Sequence, residues 1–213
     1  MPLCDRGERP VGDVGNPKTF ANMGLAVLYR VLPGASPSRI VSANDPGLLN
    51  DFINAAHELI EQGATLITTS CGFLARYQMA MNQALPVPVI TSSLLLCGQL
   101  PHPIVLTIDA AALSADLLGA AGVPNGTPVI GVPPGSYFRQ QILGDRSTLD
   151  EQRACGELVS LVKTLRQNHP EAEHLVLECT NMPPYAAALG VASHLPVHHP
   201  MTAIADHTRK HPV

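Results

Sequence analysis

The sequence predicts an α/β fold of two pseudo-symmetric lobes, each a parallel sheet flanked by helices, with the candidate site in the cleft between them. Three observations carry this reading. Short apolar runs alternate with amphipathic or alanine-rich stretches along the chain, the pattern of parallel strands joined by covering helices. Two of the five cysteines, Cys71 and Cys179, lie 108 positions apart, each just past an apolar run. Tyr77 and Tyr185 repeat at that offset, as do Pro88-Val89 and Pro196-Val197, which marks an internal duplication. The chain reads as one unit of 213 residues with lobe cores near 20–103 and 104–200, and a C-terminal helix over 201–213 able to return to the first lobe.

In the first lobe, residues 25–32 read as a strand closed by Pro33-Gly34. Pro46-Gly47 opens a helix to about Glu61, with Leu48, Leu49, Phe52, Ile53, Ala56, Leu59 and Ile60 on one face and Gly63 as its stop. Residues 66–69 form a buried strand leading to Cys71. A helix follows over 73–85, then a strand over 87–90, and Ser92 or Ser93 caps a short helix carrying Leu94, Leu95 and Leu96. Cys97 on that run is read as core.

The second lobe begins with a strand over 104–108. Asp109 caps a helix over 110–121, stopped by Gly122 and Pro124. A strand over 128–132 ends at Pro133-Pro134-Gly135. Ser147 or Thr148 opens a long helix to about Asn168, with Leu158, Leu161, Val162 and Leu165 in register. A strand over 175–177 leads to Cys179. A helix over 184–193, a strand over 195–198 and a last helix from Met201 complete the chain. Open α/β sheets bind ligands at the carboxyl ends of their strands, where both cysteines stand.

Composition narrows the function. Hydrophobic residues make up 46% and charged residues 14%, with a net charge of −4. That balance fits a globular domain and offers no basic surface to nucleic acid. The apolar stretches are shorter than the ~20 residues of a membrane helix, and the opening segment lacks the apolar core of a signal peptide. The expected location is the cytoplasm, with no membrane partner. No C-x-x-C occurs, so zinc and thioredoxin-like spacings are missing. His198 and His199 are adjacent and point to opposite faces of a strand. No metal or other cofactor is expected. Glycine patterns for nucleotides and the G-x-S-x-G elbow are absent, and none of the three lysines follows an apolar strand.

The paired thiols carry the chemistry. A cysteine near a helix N-terminus is favoured as thiolate, and the same N–H groups attract a carboxylate. Ser70, Thr180 and Asn181 stand beside the thiols as further donors. Two thiols facing each other across a pseudo-twofold can remove a proton from one face of a carbon and return one to the other. Cys4, Cys97 and Cys155 are given no role.

At these positions the chain resembles the aspartate/glutamate racemase superfamily, which includes amino-acid racemases, hydantoin racemases, maleate isomerases and arylmalonate decarboxylases. Cys179-Thr180-Asn181-Met182-Pro183 is similar to its second cysteine motif and Thr68-Thr69-Ser70-Cys71 to its first. Thr107-Ile108-Asp109 resembles a strand end that contacts substrate, and Gly12-Asp13-Val14-Gly15-Asn16-Pro17 resembles a pocket loop. The resemblance implies a cofactor-independent racemase or epimerase of an amino acid, hydantoin or similar α-substituted carboxylate, with Cys71 and Cys179 as base and acid. Asn16, Ser70, Gly72, Phe73, Thr107, Thr180 and Asn181 would bind substrate. The chain departs from glutamate racemases at Gly72-Phe73, where they have Asn-Thr, and at Asn181, where they have histidine. Those changes remove groups that would bind a second carboxylate, and Phe73 and Met182 imply a less polar pocket. The apolar strand expected before the Asp13 loop is missing, and turn chemistry is the other reading of Asp13 and Asn16. Arg76 is expected to face water.

Three alternatives stay open. One is a maleate-type cis–trans isomerase with a covalent cysteine adduct. Another is a non-catalytic protein that binds a small anion, and its redox variant is a Cys71–Cys179 disulfide. The expected partner is a small anionic substrate, and the default assembly is a homodimer.

Overall fold

The computed structural model describes residues 9–36, 38–42, 47–144, 146 and 148–210; Cys4, Pro46 and Ser147 lie outside them. Every strand pairing among these residues is parallel. In the first half, β1 (Ile67–Thr68) pairs with β2 (Val89–Ile90). In the second half, β3 (Pro103–Thr107), β4 (Val129–Gly131), β5 (His174–Leu177) and β6 (Val197–His198) form a sheet of order β4-β3-β5-β6. All five residues of β3 are buried, as a central parallel strand covered on both faces requires.

Eight α-helices cover the sheets among the described residues: α1 (Pro17–Ala21), α2 (Leu48–Glu61), α3 (Gln78–Ala84), α4 (Ala115–Ala120), α5 (Tyr137–Leu143), α6 (Glu151–Asn168), α7 (Ala186–Ser193) and α8 (Pro200–Lys210). The i, i+4, i+7 spacing of α2 buries Leu48, Phe52, Ala55, Ala56 and Leu59. Burying each large apolar side chain contributes roughly 1.5–3 kcal/mol. Gly63, at φ +99°, turns the chain away after α2, a conformation only glycine adopts cheaply. One continuous core runs from Ala35 to Leu195 through both sheets. A second cluster sets Met201 and Ile204 of α8 against Ile90, Leu96, Val14 and Phe20.

Several expected elements change form. Residues 25–32 form no regular element and join no ladder among the described residues. Residues 24–29 and 62–68 both line a cavity of about 540 Å³, so an apolar run alone did not make a strand. The helix expected over 73–85 begins as a 3₁₀ turn, Gly72–Tyr77, before α3. The helix over 110–121 is broken, because Ser114 caps α4 separately from the short turn Ala110–Ala112. Asp150, rather than Ser147 or Thr148, caps α6 by accepting from the N–H of Arg153. Helix α5, capped by Ser136, had no helical reading in the sequence.

The duplication is visible in the backbone. Tyr77 and Tyr185 occupy the same place before α3 and α7, with φ,ψ of −96°, −1° and −98°, −1°.

Candidate active site

Cys71 follows β1 and Cys179 follows β5, so each thiol leaves the carboxyl end of a parallel strand. Both line one cavity of about 30 Å³. Ser70, Gly72, Phe73, Glu178, Thr180 and Asn181 share its wall, and Val41, Ile108, Ile142 and Leu143 close it. That volume holds about one water. A carboxylate of three carbons needs Val41 or the α5 residues to move aside.

Hydrogen bonds lock the two thiol-bearing loops together. Thr180 Oγ1 donates to the Ser70 carbonyl at 2.6 Å. Asn181 Nδ2 donates to Asp13 Oδ2 at 2.7 Å, and the Cys179 thiol donates to Asn181 Oδ1 at 3.7 Å. Asp13 is buried, and its other oxygen accepts from the N–H of Gly15 at 2.7 Å. Burial raises the Asp13 pKa against the opposing effects of Asn181, Gly15 and Arg9.

The expected site residues divide. Ser70, Cys71, Gly72, Phe73, Cys179, Thr180 and Asn181 line the cavity. Asn16 does not: its Oδ1 accepts from the N–H of Lys18 and its Nδ2 donates to the Arg9 carbonyl. It caps α1, a short polar side chain satisfying its own turn. Thr107 also stays out of the wall. It is fully buried and donates to Glu178 Oε2 at 2.7 Å. Arg76 is partly buried, its Nε bonded to the Phe73 carbonyl at 3.1 Å.

The sequence reading missed Glu178. Its side chain is fully buried, and Oε1 has no hydrogen-bond partner. It lies against Gly72, where a side-chain methyl would overlap both Oε1 and the Glu178 carbonyl. The signal was present: an acid inside the apolar run His174-Leu175-Val176-Leu177-Glu178-Cys179. Buried carboxyls are rare unless paired. The Ser70 hydroxyl is likewise buried and unpartnered in the same wall.

Electrostatics correct the expectation of a helix-stabilised thiolate. Burial pushes the Cys71 thiol up to about 12, Glu178 adds to the rise, and the Phe73 N–H and Arg76 pull it back. Cys179 is raised well above its ordinary value by burial, then by Glu178, with Cys71 and Asp13 adding to the rise against the opposing Asn181 N–H. Six residues of 3₁₀ helix after Cys71 and a three-residue turn at Pro183–Tyr185 offer too little field to offset burial. Burial also pushes Glu178 up to about 8, with Thr107 opposing.

No protein-family model matches the sequence. The chain is 27% identical to a dimethylsulfoniopropionate lyase from Durusdinium sp. clade D over 203 residues, 88% of this chain and 65% of that protein. It is 31% identical to dimethylsulfoniopropionate lyase 6 from Emiliania huxleyi over 208 residues, 88% of this chain and 52% of that protein. The chain therefore spans between about half and two thirds of these curated relatives. Among solved structures it is similar to the Gly74Cys mutant of arylmalonate decarboxylase, with a TM-score of 0.61 and 16% identity over 96% of this chain and 92% of that one. Aspartate racemase from Picrophilus torridus gives a TM-score of 0.56 at 16% identity, over 86% and 78% of the two chains. The proteins it resembles are enzymes, and none of the helices among the described residues is long and apolar enough to cross a membrane. Two parallel α/β halves, each presenting a cysteine at a strand end, have the fold of the aspartate/glutamate racemase superfamily.

Proposed function

We propose that this chain removes the proton α to a carboxylate with one of its two thiols, and that its substrate is a β-dialkylsulfonium carboxylate of the dimethylsulfoniopropionate kind. The observation that carries this reading is the shared cavity of Cys71 and Cys179, whose lining among the described residues has an acid and no Lys, Arg or His. A sulfonium is a cation with apolar methyl groups. It suits a wall of Phe73, Ile108 and Ile142 beside the Glu178 carboxyl. The free Ser70 hydroxyl is a donor for the substrate carboxylate.

The reaction is a β-elimination. A thiolate takes the α-proton, the C–H electron pair becomes the double bond, and the C–S pair leaves with sulfur. Dimethylsulfoniopropionate becomes acrylate, dimethyl sulfide and one proton. Exclusion of water keeps the carbanion-like transition state from being quenched. The likeness to dimethylsulfoniopropionate lyases over 88% of the chain supports this substrate.

The pseudo-twofold placement of the thiols favours a second reading, racemisation or epimerisation of an amino acid, hydantoin or related carboxylate. It shares the first step and differs in the fate of the carbanion: without a β leaving group, the opposite thiol reprotonates it. Cytoplasmic amino-acid metabolism without a cofactor belongs to this reading. One experiment tests both. The purified protein is given dimethylsulfoniopropionate and headspace dimethyl sulfide is measured, while α-substituted carboxylates and hydantoins are incubated in heavy water and followed by NMR. Sulfide release supports the lyase, and α-deuteration with loss of optical activity supports the racemase. Neither signal sinks thiol-based proton abstraction.

A further inference from the structure

We propose that Glu178 is the third acid–base group of this site, the internal partner through which the Cys71 thiol exchanges its proton, making Cys71 the base and Cys179 the acid. The inference rests on the thiol chemistry proposed above. Its first support is geometric. Glu178 is fully buried, its Oε2 is held by Thr107 at 2.7 Å, and its Oε1 has no partner. That free oxygen lies over Gly72, the residue after Cys71, and Glu178 lines the same cavity as both sulfurs. A buried carboxyl oxygen without a hydrogen-bond partner is costly to keep.

The choice of Cys71 follows from how each thiol is held. Cys179 donates to Asn181 Oδ1 at 3.7 Å, an amide tied in turn to buried Asp13, while Glu178 Oε1 lies over Gly72 beside Cys71. The charges around the thiols agree. Cys71 faces one anion, Glu178, and one cation, Arg76. Cys179 faces Glu178, Cys71 and Asp13, all opposing a thiolate. Thr107 on β3 donates to Glu178, and the two thiols that feel the Glu178 charge are Cys71 after β1 and Cys179 beside it in sequence.

The step balances within the cavity. The S–H bond of Cys71 breaks, its electron pair stays on sulfur, and the proton forms an O–H bond on the Glu178 carboxylate. When Glu178 is ionised, above about pH 8, the closed pocket keeps one negative charge throughout, so no further ion is desolvated. With the cavity shut around substrate, water is not needed as the acceptor.

The test measures Cys71 alkylation by iodoacetamide from pH 6 to 9.5 on the full chain, resolved from Cys179 by peptide mass spectrometry. Once the Glu178–Cys71 pair has lost one proton, the share of thiolate becomes independent of pH. Wild-type alkylation should therefore rise and level off above about pH 8, where Glu178 titrates. In Glu178→Gln it should keep rising and exceed wild type about tenfold at pH 9, one pH unit beyond the plateau. Turnover should move the opposite way, with kcat about 100-fold lower and KM little changed, the loss typical of a missing proton acceptor. Thr107→Val keeps the carboxyl but removes the donor that favours its charge, so the plateau should begin at higher pH. This variant decides the matter if Glu178→Gln does not fold. Coincident alkylation profiles, or alkylation and turnover falling together, overturn the proposal. Absence of any turnover by wild type overturns the proposed function instead, and the alkylation profiles still decide the Glu178–Cys71 link.

Discussion

The hydroxyl of Thr180 donates to the carbonyl of Ser70 at 2.6 Å, so the residue after one thiol holds the residue before the other. This bond crosses between the two halves beside the two cysteines. Thr180→Val keeps the side-chain shape and removes the donor. It should cost about 1 kcal/mol of stability and lower kcat more than that loss of folded protein explains. Urea unfolding alongside steady-state kinetics separates the two. Unchanged kcat means the bond does not register the thiols.

The two cysteine variants distinguish the reactions. Cys71→Ala should lower both dimethyl sulfide release and α-deuteration by at least about 100-fold, because the base is gone. Cys179→Ala should abolish racemisation yet leave elimination within about tenfold, the worth of one hydrogen bond. Full elimination activity in Cys71→Ala contradicts its role as base.

Gly72→Ala should destabilise the chain by about 1–3 kcal/mol, the usual result of forcing a methyl into a packed wall. The new methyl meets both the side chain and the main chain of Glu178. Glu178→Ala in the same chain should therefore recover only part of the loss. A chemical-denaturation cycle of the two variants checks this, and full recovery shows that the main-chain overlap relaxes.

Glu178 should lower stability as pH rises from about 4.5 to 8, while His199, lowered to about 4 by burial, adds stability from about pH 4 to 6.5. The carboxyl of Glu178 is raised from 4.5 to about 8 on folding. Across that window the folded chain keeps a proton that the unfolded chain has released, so raising the pH favours unfolding. Asp13, also raised by burial, contributes with the same sign from about its ordinary 3.8 upward. Urea midpoints measured at intervals from pH 5 to 9 should fall in wild type relative to Glu178→Gln. Parallel profiles mean that Glu178 titrates normally.

Helix α5 should control access. Arg139 Nη2 pairs with Asp109 Oδ2 at 2.6 Å, and Arg139 Nη1 donates to the Val132 carbonyl at 3.0 Å. These bonds tie α5 to the ends of β3 and β4, and α5 sets Ile142 and Leu143 on the cavity. Arg139→Met should speed hydrogen exchange over 137–143 and cysteine alkylation without moving its pH profile. Unchanged exchange means that packing, not the ion pair, holds the helix.

Much of the fold was legible because its signals are local. The apolar spacing of α2, the glycine stop at Gly63 and the 108-residue offset of the cysteines depend only on residues near one another in sequence or on their repetition. The stretch at 25–32 shows the limit. Its apolar run suits a strand, but a strand exists only when a neighbouring backbone supplies hydrogen bonds, and none among the described residues pairs with it. Helix α5 was hidden because its polar residues, Arg139, Gln140 and Gln141, interrupt the apolar period while Asp109 gives Arg139 its partner.

Chain order alone established the repeated α/β pattern and the matching strand-end places of Cys71 and Cys179, because periodicity and turn chemistry are written in short stretches. Assembly in three dimensions settled which groups surround the sulfurs. It moved Asn16 to a helix cap, tied Asp13 to Asn181, and enclosed Glu178 between Thr107 and Gly72. The charge a buried group carries depends on the water it loses and the neighbours it meets, and those come from segments more than a hundred residues apart.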